Sequence, residues 1–106
     1  MSRISTALFS IGDIVYHQRF DYRGVVIDID AEFSLSERWY ESMARSRPPK
    51  DAPWYHVLVD QGTHQTYVAE RNLGPDTLGE PISHPAVMDY FTDFVDGRYI
   101  SELKRN

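Results

Sequence analysis

Cysteine is absent from this 106-residue chain, and that gap closes several chemistries. No disulfide can form, no thiolate can act as a nucleophile, and no zinc–sulfur site can be built; the absence also fits a reducing cytosol. Long hydrophobic runs are missing as well: no apolar stretch approaches the roughly 20 residues that span a bilayer. The N-terminal Met1-Ser2-Arg3-Ile4-Ser5-Thr6-Ala7-Leu8-Phe9 is too short and too polar for a signal peptide, so the expectation is a soluble, cytoplasmic protein. Positive charge is scarce, with 11 Lys and Arg against 16 Asp and Glu and a net charge of −5. Proteins that grip duplex DNA through many phosphates carry a basic face, because counterion release supplies most of the affinity. Here the basic residues cluster in Arg45-Ser46-Arg47-Pro48-Pro49-Lys50, with Arg38 nearby and Lys104-Arg105 at the end. Composition therefore argues against strong non-specific nucleic-acid binding and leaves room for a small basic patch. There is no glycine-rich phosphate loop: Gly24 is isolated and Gly74 precedes Pro75.

What the chain does have is 42% hydrophobic and 13% aromatic residues, enough for a real core. The length fits one domain over residues 1–106 that buries about two-thirds of its unfolded surface. The clearest local signal is a β-hairpin. Pro53-Trp54-Tyr55-His56-Val57-Leu58-Val59-Asp60 and His64-Gln65-Thr66-Tyr67-Val68-Ala69-Glu70 are rich in β-branched and aromatic residues around Gln61-Gly62-Thr63. With Asp60 opposite Thr63, Val59 faces His64, Val57 faces Thr66, His56 faces Tyr67 and Tyr55 faces Val68. Alternation then puts Trp54, His56, Leu58, Tyr67 and Ala69 on one face and Tyr55, Val57, Val59 and Val68 on the other. Neither face is polar, so both must be covered, one by a core and one by a helix or a second subunit.

Elsewhere, Phe9 and Ile11 lead through Gly12-Asp13 into a short strand, Ile14-Val15-Tyr16-His17. After the polar connection from Arg19 to Gly24, Val25 to Asp30 forms a second strand, with Val25, Ile27 and Ile29 on one face and Val26, Asp28 and Asp30 on the other. Ser34 or Ser36 caps a helix in which Glu37 meets the positive end of the dipole and Leu35, Trp39 and Met43 form a narrow apolar stripe. Arg47 to Pro53 ends that helix in a stiff, exposed loop. Glu70 to Leu73 adds a last short strand before Gly74-Pro75-Asp76 turns the chain. A second helix is expected over about 83–96, with Val87, Tyr90, Phe91, Phe94 and Val95 as its apolar face and Gly97 at its C-terminal end. Short twisted strands with one inserted and one appended helix describe a mainly β fold, a small antiparallel SH3-like barrel over about 9–73; a sandwich is the lesser alternative.

Each group that could carry chemistry has a plainer reading. Asp28 and Asp30 lie at i and i+2, roughly 6.5 Å apart by strand rise, and read as a solvated or loop-capping pair rather than a cation site. His56 and His64 sit on opposite hairpin faces and cannot share a metal in this register. Ser83 and His84 are adjacent and on a helix point about 100° apart, which is not a nucleophile–base geometry. The expectation is that the chain is not an enzyme and uses no cofactor or metal. Trp39 reads as core through its stripe; Trp54 reads equally as a binding anchor or as a lid over one barrel end. Trp54, Tyr55, His56 and Tyr67 are the candidate partner-binding residues, and Arg38, Arg45, Arg47 and Lys50 the candidate DNA-binding ones.

Five blocks, in order, carry a family resemblance: Phe9-Ser10-Ile11-Gly12-Asp13-Ile14-Val15, Tyr22 to Asp30, Phe33-Ser34-Leu35-Ser36-Glu37, Pro53 to Val59, and Thr66-Tyr67-Val68-Ala69-Glu70. Together they resemble the heat-shock protein HspQ family, also called the YccV-like or hemimethylated-DNA-binding family, from about Phe9 to Leu73. Ala31 stands where a proline is common, and the hairpin turn is shorter than in some relatives. The resemblance implies an SH3-like barrel in a homo-oligomer, with a trimer as one form. It also implies a non-enzymatic heat-shock regulator: a specificity-enhancing adaptor of the Lon protease that promotes turnover of denatured proteins and of the replication initiator DnaA, or a binder of hemimethylated DNA near the replication origin. The acidic balance favours the adaptor, which would engage protease or unfolded clients through apolar surface.

Overall fold

The computed structural model describes residues 6–101. Its five-stranded antiparallel sheet comprises β1 (Ile14–His17), β2 (Tyr22–Asp30), β3 (Trp54–Val59), β4 (Gln65–Ala69) and β5 (Leu73–Pro75), in the order β4-β3-β2-β1-β5. The β3–β4 register is the one expected from setting Asp60 opposite Thr63, with Tyr55 opposite Val68, His56 opposite Tyr67 and Val57 opposite Thr66. The Val59 N–H donates to the His64 carbonyl oxygen at 3.2 Å where the turn opens. A 3-10 turn, Glu70–Asn72, occupies most of the expected last strand and hands the chain to β5, which pairs with β1. Strand order and the 3-10 turn before the final strand are those of an SH3-like barrel.

All five strands of the sheet supply one inner core. Val15 of β1, Val26 of β2, Tyr55 and Val57 of β3, Val68 of β4 and Leu73 of β5 form one buried cluster. Strict alternation along β2 would have denied it Ile29. A bulge between Val26 and Asp28 resets the pleat, so Val25 and Ile27 pack outward while Val26 and Ile29 pack inward. The expected grouping of Val25, Ile27 and Ile29 on one face is corrected by that one residue.

Both outer ends of the hairpin are covered. One cover is helix α1 (Glu37–Met43), capped by Ser36, whose Oγ accepts the Trp39 N–H at 3.1 Å. Tyr40 and Ala44 face the barrel and pack on Trp54 and Ala69, with the half-buried Trp39 against the same cluster as expected, whereas Leu35 and Met43 do not join it. Seven residues give the helix only two turns, and its roll is fixed by Tyr40, whose hydroxyl donates to the Pro48 carbonyl at 2.7 Å. Leu35 and Met43 are thereby turned outward.

The other cover corrects the expected helix over 83–96. Only Val87–Tyr90 is helical (α2); the chain then forms a hairpin, β6 (Asp93–Val95) and β7 (Arg98–Ile100). Asp96 and Gly97 both take positive φ, 51° and 84°, the requirement of the tight Asp-Gly turn that matches strand twist. Gly97 is thus a hairpin residue and not a helix cap. Val87, Phe91 and Tyr99 still bury against Ile14, Val25 and Leu58, whereas Tyr90 and Val95 are exposed. Among the described residues no helix is long and apolar enough to cross a membrane.

Candidate binding groove

The outward roll of α1 and the turn between β1 and β2 leave a groove between them. It has two lobes, about 470 and 530 Å³, that share His17, Phe20, Trp39, Met43, Tyr67 and Val68. Leu35, His56 and His64 line one lobe; Arg19, Arg45 and Ser46 line the other. Apolar side chains stand free at its edges, Phe20 at 71% exposure and Met43 at 63%. No carboxylate lines either lobe, although the chain has more acidic than basic side chains.

His17 holds the Phe20 wall in place. Its ring is buried, stacks on Phe20 at 4.8 Å and lies 5.0 Å from Tyr22. Its Nδ1 accepts the Arg19 N–H at 3.2 Å and the Phe20 N–H at 3.1 Å. Burial first, and the Arg19 charge second, push its pKa below the ordinary histidine value. The ring therefore stays neutral with its proton on Nε2, and the turn stays tied down.

At the far end, Asp30 gathers a polar cluster. Its Oδ2 accepts from Ser34 Oγ at 2.6 Å and from the Tyr67 hydroxyl at 2.7 Å, and lies 3.2 Å from His56 Nε2. Burial works against ionisation here, but these hydrogen bonds and the His56 interaction outweigh it and hold the Asp30 carboxyl below its usual range. The β2 bulge also brings Asp28 opposite His56, so Asp28, Asp30 and His56 offer three ligating atoms within 4.8 Å of one another. Sequence reasoning had taken the two carboxylates alone. The inner oxygen is already saturated by protein donors, and the cluster fastens the α1 approach to β4 through Ser34 and Tyr67.

The basic residues divide. Arg47 pairs with Glu41 at 3.1 Å and lies 5.3 Å over the Tyr40 ring. Lys50 pairs with Glu37 and sits 4.3 Å over the same ring. Both brace the loop after α1. Arg38 and Arg45 are exposed and have no carboxylate partner among the described residues; Arg45 points at the groove. A separate cavity of about 610 Å³ beside Arg23 is already matched in charge, since Arg23 bridges Asp60 at 3.3 Å and Asp76 at 2.8 Å.

The aromatic candidates also divide. Trp54 and Tyr55 are 1% and 0% exposed, which corrects their reading as contact residues. Trp54 is the lid: it stacks on Tyr67 at 5.2 Å, and its Nε1–H donates to the Pro49 carbonyl at 3.0 Å. His56 and Tyr67 are half-buried and do line the groove. Sequence reasoning missed Phe20 and Arg19, hidden in what read as a polar connection, and Leu35 and Met43, assigned inward. The signal was the bulky Phe20 within that polar turn. His84 forms no couple with Ser83, since its Nε2 lies 3.0 Å from the His64 carbonyl and its Nδ1 accepts the Ala86 N–H at 3.0 Å.

The chain is thus an SH3-like barrel with an open groove between α1 and the β1–β2 turn. The family model described as YccV-like, hemimethylated DNA-binding protein YccV-like, matches residues 7–98, and the chain belongs to that family.

Proposed function

We propose that this protein is a non-catalytic adaptor that engages the Lon protease and its denatured or regulatory clients, DnaA among them, through the groove between α1 and the β1–β2 turn. The observation that carries the reading is the groove itself: Phe20, Leu35 and Met43 are exposed around Trp39. Apolar patches rimmed by polar groups are where monomers meet partners. Two of the groove histidines are otherwise occupied, His17 by two backbone amides and His56 by Asp30. The site of action in this reading is the cytoplasm. The family resemblance adds a homo-oligomer, a trimer being one form, for which exposed Met88, Tyr90 and Val95 offer a second apolar surface; solution mass checks it. The deciding experiment adds the purified protein to Lon and an unfolded client and follows client decay. Faster decay is expected; an unchanged rate for every client sinks the adaptor.

The second reading is DNA binding, favoured by the family's description and by Arg38 and Arg45, which have no carboxylate partner among the described residues. Retention on a hemimethylated duplex should then weaken in an Arg38→Ala, Arg45→Ala double variant, with a flatter salt dependence. Arg47 and Lys50, committed to Glu41 and Glu37, should matter less.

A further inference from the structure

We infer that the groove takes a protein segment with an apolar anchor flanked by acidic side chains; this rests on the adaptor reading and names the chemistry of its partner. The floor and walls are aromatic and aliphatic, with Trp39 and Val68 below and Phe20 and Met43 at the sides, which suits a bulky apolar side chain. The charged side chains that line it have one sign, and Asp30 at its far end is already engaged by Ser34, Tyr67 and His56. Arg19 and Arg45 line one lobe, the lining includes no carboxylate, and no carboxylate pairs with either arginine among the described residues. On a chain of net charge −5 such a mouth selects a partner of opposite charge.

The chain's own ends match poorly. Residues 1–5 contribute Arg3, and residues 102–106 contribute Lys104 and Arg105 against Glu102 alone, so both repeat the sign of the rim. A nucleic-acid strand also matches poorly. Two arginines supply few phosphate contacts, even though the exposed Phe20 ring is a surface on which a base could stack. A second copy could offer Met88, Tyr90 and Val95 among Asp89, Asp93 and Asp96, all exposed, and has to be separated by experiment.

The test uses fluorescence anisotropy with the full chain and two labelled peptides, a Phe-Leu pair flanked by aspartates and the same pair flanked by lysines. The acidic peptide should bind on the order of tenfold more tightly, the effect of a few exposed charge contacts. An Arg19→Glu, Arg45→Glu variant should reverse that preference, which a merely structural role would not do. A Phe20→Ser, Met43→Ser variant should lose both peptides while keeping its melting temperature, since both side chains are exposed. Equal binding of the two peptides, or an unreversed preference, overturns the inference. So does displacement of the peptide by a single-stranded oligonucleotide, or a fall in solution mass of the Phe20→Ser, Met43→Ser variant, which would mean that a second copy fills the groove. Failure of the parent chain to bind either peptide while it still stimulates Lon sinks this inference alone; peptide binding by the parent chain without stimulation sinks the adaptor reading and leaves the groove chemistry standing.

Discussion

Tyr55 shows how one residue serves both faces of the account. Its ring is fully buried in the inner core, and its hydroxyl donates to Glu70 Oε1 at 2.6 Å and accepts the Phe9 N–H at 3.2 Å. It thus ties the N-terminal approach to the end of β4. Burial, reinforced by the Glu70 hydrogen bond, pushes its pKa from 10.0 up to about 12. A raised pKa means that the unfolded chain loses this proton first, so the stabilisation is complete below pH 10 and disappears as pH rises towards 12. Tyr55→Phe should lower stability by about 1–2 kcal/mol at neutral pH, the cost of a broken buried hydrogen bond. It should also fall less steeply than the parent between pH 10 and 12 in urea titrations. Identical alkaline slopes would place the titration elsewhere.

At the scale of elements, the C-terminal hairpin depends on its contact with the segment before β1. The Tyr99 N–H donates to the Gly12 carbonyl at 2.8 Å, and the Gly12 N–H donates to the Val26 carbonyl at 2.9 Å. Gly12 has φ of 98°, and an added Cβ would stand 2.1 Å from the Tyr99 carbonyl oxygen. Gly12→Ala should cost about 2–4 kcal/mol, combining a left-handed penalty with a backbone clash, and should raise amide exchange over Arg98–Ile100 before that over β3; equal change in both strands would refute separate docking. The same elements show what a sequence can carry. The β3–β4 register was readable because the short turn that sets Asp60 opposite Thr63 fixes every pair behind it. The β2 bulge was not, since a single extra residue leaves no compositional mark. Val87, Tyr90, Phe91, Phe94 and Val95 satisfy helical spacing, but Asp96-Gly97 is a strong hairpin signal, and turn chemistry prevailed over periodicity. The groove escaped notice because it depends on the roll of α1, which tertiary contacts through Tyr40 set.

Across the whole molecule, two apolar surfaces are exposed. Phe20, Leu35 and Met43 stand at the groove near Arg19 and Arg45, whereas Met88, Tyr90 and Val95 of α2 and β6 stand among Asp89, Asp93 and Asp96. The two compete for the role of working face, which the proposed function gives to the groove. The most direct measurement is the rate at which Lon degrades an unfolded client in the presence of two surface variants. Phe20→Ser with Met43→Ser should abolish the acceleration, and Met88→Ser with Val95→Ser should leave it intact. The reverse pattern would contradict the assignment of the groove as the surface through which this protein acts.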